Sequence, residues 1–267
     1  MIFYPEFWIV FAAIALVCSI GFKRYIWFIS VGYGLSIAAV GVCLFAIWHA
    51  HLDVLRGIVA LLLFGYGLRL GGYLLYRELR ITTYNTKMKA EITDGKGIAL
   101  PIKIVLWLSC ALLYLLMVSP VLYRFGNNAP SDGWLIAGEI IMAIGILLEA
   151  FADKQKSDAK KKNPGRFCDT GLFRIVRCPN YLGELILWTG VLISGVSVLQ
   201  SVGQWIVAII GYLGIVYVMF SGARRLELRQ NRTYGSDPKY QEYIKKTPII
   251  LPFIPLYSVE KHKWLVA

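Results

Sequence analysis

Five side chains at helical spacing hold the most chemistry in this sequence. In LLLFGYGLRLGGYLLYRELR, the residues Tyr66, Arg69, Tyr73, Arg77 and Arg80 recur at steps of three and four, so a helix puts them on one face. Arg69 sits inside an apolar run. Placing an arginine there costs about 2.5–3.5 kcal/mol on insertion scales, and such residues face a protein interior or a wet cavity. Two phenols and three guanidiniums on one face suit a cavity for an anionic ligand. The competing reading makes Gly65, Gly67, Gly71 and Gly72 a helix-packing seam, with Arg69 neutralising a buried carboxylate such as Glu139 or Glu149.

Two polar pairs flank a basic loop further on. Glu149 and Asp153 are four apart at the end of an apolar run. The helix dipole disfavours carboxylates there, so the pair has a reason to be present. Carboxylates accept well from ribose hydroxyls and base amides. Pairing with Lys156 and Lys160 is the plainer alternative and contributes little at a surface. Past Pro164–Gly165 and Thr170–Gly171, Pro179 marks a helix start, which places Asn180 and Glu184 on one face of its first turns. Free amides at that helix start also suit an anion. Cys178 has no histidine near it in sequence and reads as structural. Arg224, Arg225, Arg229 and Arg232, with Glu227 among them, extend the last apolar run. Arginine forks suit phosphate, although arginines snorkelling to lipid headgroups give the same pattern.

These groups must be positioned by membrane helices. The chain is 57% hydrophobic and only 16% charged, too apolar for an ordinary soluble domain. Seven runs are long and apolar enough to span a bilayer: about 4–22, 26–48, 57–76, 101–123, 134–152, 183–199 and 203–223. The expected fold is all-α, one integral membrane domain over residues 1–267. With the N-terminus outside and the C-terminus in the cytoplasm, the loops 23–25, 77–100, 153–182 and the tail carry 24 of the 28 Lys and Arg. That is the positive-inside pattern, and it explains the +12 net charge without nucleic acid. In a bacterium the membrane would be the inner one. The five scattered cysteines form no metal or disulfide spacing, so no metal is expected. The N-terminus lacks the marks of a cleaved signal peptide.

Three tracts together, Y-G-L-R-L-G-G-Y-L-L-Y-R (66–77), G-L-F-R-I-V-R-C-P-N-Y-L-G-E (171–184) and Y-Q-E-Y-I-K-K-T-P-I-I-L-P (240–252), resemble the steroid 5-alpha-reductase family. The likeness is greatest to its bacterial branch, long carried as a domain of unknown function, and it covers about residues 55–255. The resemblance implies a membrane enzyme that uses NADPH to reduce a carbon–carbon double bond conjugated to a carbonyl in a steroid or other lipid. By position it makes Tyr66 the catalytic tyrosine at the substrate ketone. Arg69, Tyr73, Arg80, Glu149, Asp153, Asn180 and Glu184 become cofactor contacts, with Arg224 or Arg225 and Tyr234 from the tail.

The chain also departs from that family. Its second span (31–48) has no carboxylate, where steroid-reducing members carry an acid that assists the tyrosine. His49, His51 or Asp53 folding inward, Glu139 substituting, or Tyr66 acting alone are the alternatives. Glu149 stands where steroid enzymes often have asparagine, and Cys178 where bacterial relatives commonly have histidine. A membrane methyltransferase of the isoprenylcysteine carboxyl type, using S-adenosylmethionine, shares the R-x-P-x-Y-x-G turn and a basic tail. It has no need of the arginine stripe.

Overall fold

The computed structural model describes residues 2–80 and 97–266. It is helical, with no strand among the described residues. The main helices are α1 (Pro5–Cys18), α2 (Val31–Ile47), α3 (Val54–Arg80), α4 (Leu100–Gly126), α5 (Gly133–Lys162), α6 (Pro179–Gly195), α7 (Val202–Tyr234) and α8 (Pro238–Lys246). Seven stretches are long and apolar enough to cross a membrane, which makes this an integral, multi-pass membrane protein. Proline marks several starts: Pro5, Pro179 and Pro238 occupy first-turn positions, where a missing amide costs nothing. Two helices outrun their apolar cores. α5 continues to Lys162, and α7 runs 33 residues, about 50 Å, against a hydrocarbon thickness of about 30 Å.

The chain forms two compact units. The first comprises Met1–Glu139 and Val191–Tyr212, the second Ile140–Gly190 and Leu213–Ala267.

In the first unit α2 and α3 meet backbone to backbone. A methyl group on Gly34 would lie 2.5 Å from the Gly71 amide nitrogen, and one on Gly67 would lie 2.8 Å from Ala38 Cα. Small residues at such a seam let two membrane helices approach closely. Gly67 and Gly71 therefore serve helix packing, whereas Gly65 and Gly72 face open space. Where α4 meets the segment after α6, Arg124 is wholly buried. Its guanidinium donates to Ser194 O (2.9 Å), Pro130 O (2.7 Å), Ser197 Oγ (2.9 Å) and Asp132 Oδ1 (3.0 Å). Asp132 also accepts from the Leu135 amide at the start of α5, and Asp53 from the Arg56 amide at the start of α3.

In the second unit α5 and α6 cross with their backbones in contact at Gly145 and Gly183. A methyl on Gly183 would stand 2.8 Å from Glu149 N and from Gly145 O. Gly171 has φ +59°, a left-handed conformation that glycine adopts without penalty. Gln155 of α5 fixes that turn by accepting from the Leu172 amide at 2.9 Å. The strap after α8 lies along residues 177–178: Arg177 N and Cys178 N donate to Pro248 O and Ile249 O at 2.8 and 2.9 Å.

Candidate functional site

Two groups of the expected site residues are each assembled within one unit. On α3, the Arg69 guanidinium carbon is 6.0 Å from the Tyr66 ring centroid, and that of Arg77 is 5.8 Å from the Tyr73 ring. The shared face inferred from spacing is present. Tyr66 is 1% exposed, and its hydroxyl is 2.9 Å from the Tyr33 hydroxyl of α2. Arg80 is the last helical residue of α3; its side chain lies outside the described residues, as does most of the loop 77–100.

Beside Tyr66, the histidines and Asp53 play no part. Asp53 caps α3 thirteen residues earlier, about 20 Å away along the helix axis, and accepts from Ser131 as well. His49 and His51 are exposed in the turn before it. Glu139 is buried, in α5.

The second group forms where α5 crosses α6. Glu149 lies against Gly183, three residues after Asn180 in α6, and Asn180 and Glu184, four apart, share a face of that helix. Asp153 follows one turn further along α5. Glu184 is buried and accepts from the Trp188 indole at 3.0 Å. Asn180 Oδ1 is a buried acceptor with no hydrogen-bond partner among the described residues. Leaving a buried acceptor unmade costs about 1–3 kcal/mol, so the position suits a donor brought by a ligand. Ser221 Oγ on α7 is in the same condition, and sequence reasoning missed it because a serine in an apolar helix usually bonds its own backbone.

The two arginines at the α7 end divide their work. Arg224 holds the tail, donating from Nε to Glu260 O (3.0 Å) and from Nη1 to Leu265 O (3.1 Å). Arg225 is exposed. Tyr234 accepts from Lys160 Nζ at 2.7 Å and packs with Phe167 and Tyr240. Burial pushes the Tyr240 hydroxyl up to about 12, and it donates to Asn231 Oδ1 at 2.7 Å. Burial likewise raises the Cys178 thiol to about 11, which leaves it an inert thiol at neutral pH.

Chemically, the first group offers a phenol inside a membrane helix beside a fixed positive charge. The second offers acceptors, three carboxylates and an amide oxygen, of the kind that ribose hydroxyls and carboxamides fill. No group of three or more His, Cys, Asp or Glu with metal-holding geometry occurs among the described residues.

The chain belongs to the family described as "Protein of unknown function (DUF1295)", which it matches over residues 18–247. It is 27% identical over 122 residues to a steroid 5-alpha-reductase, DET2, of Gossypium hirsutum, covering 45% of this chain and 42% of that protein. It is 30% identical over 148 residues to an uncharacterized protein of Schizosaccharomyces pombe, covering 48% of this chain and 41% of that one. The matched part is thus less than half the length of either curated relative. No solved structure matches the chain.

Proposed function

We propose that this protein is an NADPH-dependent membrane reductase of carbon–carbon double bonds conjugated to a carbonyl, with a steroid or another apolar lipid as substrate. The observation that carries the reading is Tyr66: a phenol buried in a membrane helix, with its hydroxyl held by a second hydroxyl and an arginine over its ring. The likeness to a steroid 5-alpha-reductase supports the same reaction class.

The residues present fit a dinucleotide. Glu149, Asp153, Asn180 and Glu184 would hold its hydroxyl and amide donors, and the orphaned Asn180 oxygen in particular calls for one. By the family resemblance, Arg69, Tyr73, Arg80 and exposed Arg225 are proposed as further cofactor contacts. Arg224, bonded to the tail, and Tyr234, bonded to Lys160, would be cofactor contacts by the resemblance alone. When bound, NADPH supplies a hydride to the β-carbon and leaves as NADP+, while a proton from water completes the product at the α-carbon.

The chain's own part is at the carbonyl. As the double-bond electrons move toward the carbonyl oxygen, Tyr66 donates a hydrogen bond to it. A preorganised donor in a dry site is worth a factor of about 10²–10³ in rate. The apolar spans around Tyr66 would admit a lipid and exclude water. On the positive-inside expectation the basic loops would face the cytoplasm, where NADPH is found.

Direct binding to the purified protein tests the cofactor. NADPH is expected to bind at least tenfold more tightly than S-adenosylmethionine. Binding of S-adenosylmethionine alone would overturn the reading in favour of a methyltransferase.

A further inference from the structure

The hydroxyl that Tyr66 meets belongs to a residue with no assigned role. Tyr33 is the third residue of α2, 6% exposed, and its hydroxyl oxygen lies 2.9 Å from that of Tyr66. The two rings meet edge to face, with centroids 6.4 Å apart at 72°. On its other side the Tyr33 ring packs on Tyr114 of α4, centroids 5.1 Å apart. Tyr114 is itself pinned, donating to Phe28 O at 2.7 Å.

The pair is fixed by the backbone as well as by side chains. Gly34 follows Tyr33 and Gly67 follows Tyr66, and these two glycines are among the points where α2 and α3 touch. The register that lets the helices pack therefore places the two phenols opposite each other. A one-residue slip of α2 would put a Cβ into the seam and carry the Tyr33 hydroxyl away.

Building on the proposed reductase activity, we infer that Tyr33 is a positioning residue for Tyr66 and does the work of the carboxylate that α2 lacks. A hydroxyl can donate one hydrogen bond while accepting another. With Tyr33 donating to the Tyr66 oxygen, the Tyr66 proton is turned away from Tyr33 and toward a substrate carbonyl. As that proton is shared with the developing enolate, negative charge grows on the Tyr66 oxygen. The Tyr33 O–H then becomes a hydrogen bond to a charged acceptor, which is stronger than one between neutral groups. No net proton is transferred between the two tyrosines, so the balance of the reaction is unchanged.

Two buried hydroxyls also satisfy each other in any well-packed core, and the test must separate that role from this one. Tyr33→Phe, Tyr66→Phe and the double variant are compared with the natural protein in lipid nanodiscs. Turnover of an enone, KM, NADPH affinity and the ¹³Cζ resonance of Tyr66 are measured in each. Tyr33→Phe is expected to lower kcat by about tenfold to a hundredfold, as for loss of a hydrogen bond to a charged group. KM and NADPH affinity should stay within about twofold, the Tyr66 resonance should move, and the loss should vanish in the Tyr66→Phe background. Unchanged kcat, an unmoved resonance, or an equal loss in both backgrounds would overturn the inference and leave the reductase reading standing. A natural protein that turns over no enone would remove both.

Discussion

Arg177 and Glu227 form an ion pair of 2.8 Å in which both side chains are no more than 2% exposed. Arg177 belongs to the tract that most resembles the reductase family, yet its guanidinium serves the fold. It also donates to Tyr257 O, while the second Glu227 oxygen accepts from Val259 N at 2.8 Å. One pair thus ties the segment before α6 to α7 and to the tail.

Breaking such a pair leaves one charge buried and uncompensated, at a cost of about 3–5 kcal/mol. Glu227→Ala should therefore lower the thermal midpoint sharply. The double variant Arg177→Met, Glu227→Leu should recover much of that loss, because two well-packed apolar side chains replace two buried charges. Both are read from melting curves in detergent.

The α5–α6 crossing tolerates no side chain at Gly183, since the nearest atoms to an added Cβ are backbone. Gly183→Ala should destabilise by about 1–3 kcal/mol. It should also weaken NADPH binding, because Glu149, Asn180 and Glu184 move with their helices. Gly57, with nothing within 4 Å of an added Cβ, is the matched control and should change neither.

Arg224 and Arg225 should separate cleanly. Arg224→Ala removes two donors to the tail backbone and should lower the thermal midpoint with a smaller effect on NADPH affinity. Arg225→Ala should leave stability unchanged, weaken NADPH binding and reduce its salt dependence, as expected for loss of a phosphate contact. Calorimetry over a range of salt concentrations checks both.

Acid should loosen the first unit around Arg124. Against a burial penalty, the Ser197 hydroxyl, the Leu135 amide and the Arg124 guanidinium hold the Asp132 carboxyl below the usual carboxylate range. A carboxyl depressed in the folded state stabilises at pH above its unfolded value, near 4. That stabilisation is lost as pH falls through the folded value. The thermal midpoint should fall below about pH 4, and Asp132→Asn should flatten the fall while lowering the midpoint at neutral pH.

Local periodicity carried much of this architecture. The stripe on α3 was legible because steps of three and four have one helical meaning, and the seven spans because length and hydropathy define them. Asn180 and Glu184 were legible because Pro179 announces a helix start. What brings Glu149 against Gly183 was not, since the contact depends on the absence of a side chain at two distant positions. Tyr33 was hidden for a different reason: within VGYGLSIAAV a tyrosine reads as one more bulky apolar residue, and only the register of two helices reveals where its hydroxyl ends. Glu227 was lost among arginines. Its burial needs the tail to return along α7, which no local pattern encodes.

Consumption of NADPH by the purified protein with a panel of steroid, polyprenyl and enoyl-thioester enones tests the central claim most directly. The account predicts oxidation of one NADPH per double bond reduced with at least one class, and a fall of about a hundredfold or more in Tyr66→Phe with NADPH affinity retained. Equal turnover by the natural protein and Tyr66→Phe, or no NADPH oxidation with any of the three, would contradict it.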